Sequence, residues 1–275
     1  MNNKKIFNLF LSIITYGAAV IAISLLTFLV GYIVIKGIPN MKFSLFALQY
    51  TSKNVSVIPA IITTIKLTLI SLIIAAPLGI FTAIYLVEYA SKQNKLVGVI
   101  RITSETLSGI PSIIYGLFGM LFFVTTLGWG FSLIAGSFTL SIMILPLIMR
   151  TTEEALKSVP ESFREGSFGL GAGKLRTVFK IVLPSAIPGI LAGIILAIGR
   201  IIGETAALIY TAGTVAQIPS NLTDSARTLS VHMYALSSEG LHTNEAYATA
   251  LILLTIVIGI NAIASYTAKK LVKGV

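Results

Sequence analysis

Long uninterrupted apolar runs are the feature that most restricts how this chain can fold. The first two extend from about residue 6 to 35 and from about residue 58 to 89. A helix of about 20 apolar residues crosses the roughly 30 Å hydrocarbon core of a bilayer. Only 11% of the residues are charged, whereas soluble chains carry roughly 25%. We therefore predict an integral membrane protein of the all-α class.

The hydropathy pattern predicts a polytopic protein with six transmembrane helices. Their approximate bounds are 6–35, 58–89, 107–127, 131–149, 187–211 and 246–268. Polar loops are predicted at 91–105 and at 212–245. Six crossings place both termini on the same side of the membrane.

The distribution of basic residues predicts which side that is. Of the 20 lysines and arginines, 14 fall on the side of the termini, four fall on the opposite side, and Lys66 and Arg200 lie within spans. Cytoplasmic loops of membrane proteins carry the excess of basic residues. We therefore expect both termini to be cytoplasmic, and the net charge of +10 needs no nucleic-acid partner to explain it.

Several kinds of chemistry are disfavoured by composition. The chain has no cysteine, so disulfides and thiolate metal sites are excluded. Its two histidines lie ten residues apart in one loop, which argues against a histidine metal site. The stretch 169–174 resembles a phosphate-binding loop, but Leu175 stands where serine or threonine is required, and Phe168 replaces the first glycine.

A polar segment at 150–184 interrupts the apolar runs. Pro160 followed by Glu161 is typical of a helix start, and glycines recur at 169, 171 and 173. Beyond them apolar residues return at helical spacing as far as Pro184, which is expected to end the pattern. The segment predicts two short helices around a glycine turn, exposed on the cytoplasmic face.

This segment carries a motif that resembles the EAA loop of importer-type (MetI-like) ABC transporter permeases. The matching residues, with the spacing of that motif, are Glu165, Gly166, Ser167, Gly171, Ile181, Leu183 and Pro184. Gly166 and Ser167 depart from the two alanines that the motif prefers, although both are also small. In that family the loop forms a coupling helix that docks on a cytoplasmic ATPase, and the resemblance implies the same role for these residues.

Arg200 and Glu204 are the most costly residues in the predicted fifth span. Arg200 is expected near the middle of the bilayer, where an arginine costs at least about 2.5–3.5 kcal/mol. Glu204 follows by four residues, one turn further on the same face of a continuous helix. From charge placement alone two interpretations stay open: the residues neutralise each other as a structural pair, or they line a translocation path.

A second resemblance concerns the permeases of phosphate-specific importers, of the PstA type. It is carried by the stretches 77–89, 107–119, 150–156 and 199–206. In that family the residues that match Arg150, Arg200 and Glu204 are implicated in phosphate passage. The resemblance implies the same role here, with Arg150 ranked below Arg200 because an arginine at a cytoplasmic helix end needs no function beyond topology.

The two resemblances imply the surroundings of the chain. It is expected to be a non-enzymatic subunit of the inner membrane, with an N-terminal helix and outer loop (1–57), a permease domain (58–268) and a basic cytoplasmic tail (269–275). The expected partners are a second permease, two copies of an ATPase that binds ATP and magnesium, and an extracytoplasmic phosphate-binding protein. Two alternatives remain: a permease for another oxyanion or small solute, and an ion-coupled secondary transporter.

Overall fold

The computed structural model describes residues 2–91 and 94–272, and within these ranges every regular element is helical. The helices are α1 (Asn2–Gly37), α2 (Ile58–Ile84), α3 (Lys95–Ser108), α4 (Ser112–Gly119), α5 (Leu133–Lys157), α6 (Glu161–Gly169), α7 (Lys174–Thr177), α8 (Leu183–Gly203), α9 (Ala206–Ile209), α10 (Leu229–Glu239) and α11 (Thr243–Val272). Three π-helical segments extend them: Tyr85–Tyr89 after α2, Met120–Thr126 after α4, and Val178–Val182 between α7 and α8. The all-α prediction is confirmed.

Among the described residues, five continuous helical segments are long and apolar enough to cross a bilayer. They are Phe7–Asn40, Ile58–Tyr89, Leu133–Lys157, Lys174–Gly203 and Thr243–Ile263. A sixth crossing exists if Lys95–Ser108 and Ser112–Thr126 count as one span, although these two helices meet at a bend of 102°. The third predicted span is therefore broken rather than continuous.

The predicted polar loop at 91–105 is wrong, because most of it forms α3. The side chain of Asn94 caps this helix by accepting a hydrogen bond of 3.0 Å from the backbone N–H of Leu96. Val97 and Ser104, seven residues apart, are buried on the inner face of the helix. The stretch was predicted as a loop because its lysine, serine, threonine and glutamate residues leave few apolar positions to show a helical spacing.

The predicted fifth span, 187–211, is also corrected by the structure. The helix runs without interruption from Lys174 to Gly203, so Pro184 does not end it. Pro184 lies in the first turn of α8, directly after the π-helical turn. Proline is tolerated in a first turn because its missing N–H would have no helical partner there.

Two other spans are longer than predicted. α5 continues past Met149 to Lys157, so Arg150 stands on a continuous helix. α11 begins at Thr243 and continues to Val272, so the predicted tail starts as part of the helix. Residues 273–275 lie outside the described residues.

The central bundle is formed by α2, α5 and α8, which pack closely through small residues. A side chain on Gly79 would meet Ile148 at 2.9 Å, and one on Gly189 would meet Ala155 at 2.6 Å. α2 and α5 are also joined by hydroxyls: Ser71 donates to the carbonyl of Ser137, at 3.2 Å. Small residues and such polar contacts allow close helix packing in a membrane.

The predicted outer loop at 212–245 contains a buried helix, α10. Thr228 caps its start, and Gly240 ends it in the left-handed conformation at φ 72°. His232 on this helix is fully buried, and its Nε2 lies 3.2 Å from the carbonyl of Val55. α10 thereby connects the segment before α2 to the bundle.

Candidate functional site

The chain breaks its helix between Arg200 and Glu204. α8 ends at Gly203, and Glu204 has an extended backbone conformation. The carboxylate of Glu204 is buried and accepts a hydrogen bond of 3.1 Å from the backbone N–H of Ala207, at the start of α9. The prediction that Glu204 lies one turn further on the same helix face is wrong, because Glu204 caps the next helix instead.

Arg200 lies in the last turn of α8 and is half-buried. Its charge is close enough to the hydroxyl of Tyr115 to act on it electrostatically. Within residues 2–91 and 94–272, no carboxylate forms an ion pair with Arg200, Glu204 included. The structural-pair interpretation therefore has no geometric support. The last turn of a helix does favour a cation, because the helix dipole is negative there.

The packing of α5 against α8 gives the depth of Arg200. Gly189 faces Ala155 and Gly193 faces Thr151, so the two helices run antiparallel with matched steps. Continuing this register puts Arg200 near the level of Ile144. At 1.5 Å per residue, that level is about 17 Å from the N-terminal end of α5 and about 9 Å from Arg150. Since α5 carries no charge from Leu133 to Met149, Arg200 lies inside the apolar layer.

Arg150 has a different environment from Arg200. Its side chain is 62% exposed and pairs with Glu154 at 3.1 Å, one turn further along α5. The pair lines a cavity of about 220 Å³ with other charged and polar side chains of α3 and α5. Behind them Glu153 is buried, and one of its oxygens lies 2.7 Å from both Arg101 and Lys157. The structure does not bring Arg150 and Arg200 together.

The first helix and the glycine turn predicted for the polar segment are confirmed, but the second helix is not short, because it continues without interruption to Gly203. α6 begins directly after Pro160, and Gly171 adopts φ 79° in the turn that follows. Glu165 and Gly166 are exposed, whereas Ser167 is buried with its hydroxyl 2.8 Å from that of Thr177. Ile181, Leu183 and Pro184 follow on the continuous helix, where Ile181 and Leu183 are half-buried and Pro184 is exposed.

Large apolar side chains are exposed on the surface of this segment. Phe163 and Phe168 on α6 are about half exposed, Leu175 on α7 more so, and Leu170 in the turn is 90% exposed. They stand beside the exposed Glu165 and Gly166. Exposed apolar residues beside polar ones are typical of a protein interaction surface.

Arg164 is the residue that sequence reasoning missed. Its side chain is 10% exposed and donates to Glu88 at 2.7 Å, to the carbonyl of Leu156 at 3.0 Å and to the carbonyl of Val159 at 2.9 Å. Hydrogen bonding to Glu88 raises the pKa of Arg164, against the opposing effect of burial. The buried positions of α6, Arg164 and Ser167, are polar, so hydrophobic periodicity gives no signal for them.

Comparisons with known proteins agree with this geometry. Residues 75–273 match the sequence profile of a family described as binding-protein-dependent transport system inner membrane component. The chain is 36% identical to the probable ABC transporter permease protein YqgI of Bacillus subtilis, over 88% of this chain and 86% of that protein. It is 38% identical to the phosphate transport system permease protein PstA 2 of Mycobacterium bovis, over 75% of this chain and 68% of that protein.

Solved structures share the fold. A chain of the inward-facing MetNI methionine ABC transporter superposes with a TM-score of 0.60 at 20% identity, over 76% of this chain and 91% of that chain. A chain of a bacterial alginate ABC transporter, solved in complex with an alginate-bound periplasmic protein, gives a TM-score of 0.67 at 16% identity, over 94% and 95%.

Proposed function

Since the chain belongs to the family of inner membrane components of binding-protein-dependent transport systems, we propose that it is the permease subunit that forms half of the phosphate path in an ATP-driven importer. Membership of this family leaves no place for the ion-coupled secondary transporter. The substrate proposal goes further than the family, whose relatives here include permeases without a stated substrate.

The observation that carries the phosphate proposal is the environment of Arg200. A guanidinium within the apolar layer, without a carboxylate partner in the described part of the chain, is available to an anion that enters the path. Its planar fork can hold two phosphate oxygens through parallel hydrogen bonds. The likeness to permeases named for phosphate transport supports the same substrate.

Glu204 and Arg150 have supporting roles in this proposal. Glu204 fixes the break after Gly203 by capping α9, and Ser230 donates to its backbone carbonyl at 2.5 Å. Arg150 stands about 9 Å nearer than Arg200 to the end of α5 that carries Lys157. Its side chain must exchange Glu154 for phosphate before it can hold the substrate.

The exposed surface of α6 and its turn is proposed as the docking surface for a separate cytoplasmic ATPase, which binds ATP and magnesium. Closure of two such ATPases would move the helices of this chain and of a second permease, and phosphate would arrive on an extracytoplasmic binding protein. Both termini are then cytoplasmic. Reporters placed after Lys273 and within 174–180 should report cytoplasm, and one near Ser238 should report the outer side.

The test of the substrate is ATP hydrolysis by the complex in proteoliposomes. Phosphate-loaded binding protein should stimulate hydrolysis and drive phosphate uptake, whereas the unloaded protein should not. Sulfate and molybdate, each with its own binding protein, serve as comparisons. Stimulation by one of these oxyanions without stimulation by phosphate would contradict the phosphate proposal and leave the ABC permease intact.

A further inference from the structure

The proposed coupling helix α6 is attached to the rest of the chain by two buried polar side chains. Ser167 meets Thr177 at 2.8 Å, on the helix that continues into α8. Arg164, three residues earlier on the same buried face, makes its contacts near the ends of α5 and of the helix Ile58–Tyr89. Both side chains thus attach the buried face of α6, while its other face stays exposed.

The contacts of Arg164 join α6 to two membrane-spanning helices. The guanidinium donates to the carbonyls of Leu156 and Val159, at and just beyond the C-terminal end of α5. It also donates to Glu88 in the π-helical turn that extends α2, at 2.7 and 3.2 Å. Glu88 is itself only 7% exposed, so the ion pair is shielded from water.

The contact with Glu88 differs in kind from the others. Short loops already connect α6 to α5 and to α7 along the chain, but α2 is 76 residues away in sequence. Among the described residues, every hydrogen bond between α6 and the helix Ile58–Tyr89 runs from Arg164 to Glu88. In the described part of the chain, this pair is therefore the only hydrogen-bonded connection from α6 to that helix.

Stability alone does not explain this arrangement. A buried ion pair is weak evidence for stabilisation, because desolvation offsets the attraction and apolar residues of similar volume often serve as well. What an arginine adds is a rigid planar fork with fixed directions for each hydrogen bond. Here the fork joins α6 to the end of α5 and to the end of the helix Ile58–Tyr89 in a defined geometry.

We infer that Arg164 is a positioning residue of the transport cycle, which passes the movement of α6 to α2 through Glu88. The inference rests on the proposed function, because it requires an ATPase that moves α6. The second carboxylate on Arg164 provides a control: Glu161 lies 3.3 Å away but is 71% exposed and belongs to α6 itself. It carries no connection to α2.

The experiment compares Glu88→Leu with Glu161→Leu in the assembled importer. The measurements are the yield of the complex with the ATPase, the rate of ATP hydrolysis, and the phosphate taken up per ATP. We expect Glu88→Leu to hydrolyse ATP but to take up about tenfold less phosphate per ATP, the loss that one charge-assisted hydrogen bond represents. Glu161→Leu should keep the parental ratio.

A second variant protects the test against misfolding of the first. The double variant Arg164→Met with Glu88→Met removes the pair without leaving a buried charge, so it should assemble. Its phosphate uptake per ATP should be as low as that of Glu88→Leu. A parental uptake per ATP in both Glu88 variants would overturn the inference. So would a fall in uptake that only matches a fall in complex yield. If the parent itself does not bind and stimulate an ATPase, the proposed function fails first, and the inference with it.

Discussion

Arg164 and Arg200 show two ways in which this chain keeps a guanidinium away from water. Arg164, on the proposed coupling helix α6, has two carboxylates and two backbone carbonyls as partners. Arg200, in the apolar layer, has no carboxylate partner among the described residues and stands at the end of a helix. A cation placed there is costly unless something pairs with it. The charge of the first arginine is paired within the protein, and we propose that the charge of the second is available to the transported anion.

The largest expected difference between the two arginines is in stability. Arg164→Met leaves Glu88 buried without its cation, and breaking a buried pair costs about 3–5 kcal/mol. Arg200→Met leaves no buried carboxylate unpaired and should not lower stability. Thermal unfolding of the two purified variants in detergent measures the difference. An equal loss in both would contradict the contrast drawn here.

His232 is a third basic side chain shielded from water, and it tests how burial changes the pKa of such a group. Burial, with the charge of Arg227, lowers its pKa to about 4, although the bond to Val55 acts in the opposite direction. Between about pH 6.5 and 4 the unfolded chain binds a proton that the folded chain excludes. The contribution of His232 to stability should therefore fall by about 3 kcal/mol as the pH falls through this window, and change no further below it.

The control for this pH effect is His232→Phe. It keeps an aromatic ring against Tyr50, whose ring centroid lies 5.9 Å from that of His232, but it cannot titrate. The difference in unfolding temperature between parent and variant should shrink as the pH is lowered from 7 to 4. A difference that is independent of pH would show that His232 does not carry the effect.

The turn after α6 tests how firmly the coupling region must be held. Gly171→Leu places a side chain at φ 79°, a left-handed conformation that costs roughly 1–2 kcal/mol. A Cβ atom added to Gly173, in the same turn, would meet no atom within 4 Å, and the φ of Gly173 is −75°, so Gly173→Leu serves as the control. Stimulation of the ATPase should fall in the first variant and persist in the second. Equal behaviour would mean that the turn geometry does not matter.

The smallest effect is expected at Arg150. Its ion pair with Glu154 is exposed on both sides, and such pairs contribute about 0–1 kcal/mol. Arg150→Met should leave the unfolding temperature nearly unchanged and reduce phosphate uptake less than Arg200→Met does. If uptake falls as far as in Arg200→Met, a paired arginine serves the path as well as an unpaired one.

The sequence predicted those parts of the fold that depend on long apolar runs and on glycine. Most of the spans follow from hydropathy, and the positive φ of Gly171 agrees with the predicted turn. The break after Gly203 was missed, because the apolar run continues through it, and the capping role of Glu204 becomes clear only when α9 is seen. The partners of Arg164 were missed since Glu88 is distant in sequence.

The most direct test of the account is phosphate uptake by variants of Arg200 with matched complex yield. The double replacement Arg200→Met and Glu204→Gln removes both charges and keeps an amide oxygen to cap α9. Arg200→Lys keeps the charge but loses the fork. The account predicts normal assembly, uptake lowered about 10–100-fold in the double variant, and an intermediate loss in Arg200→Lys. Normal uptake by the double variant, at parental assembly, would contradict the role of Arg200 in the phosphate path.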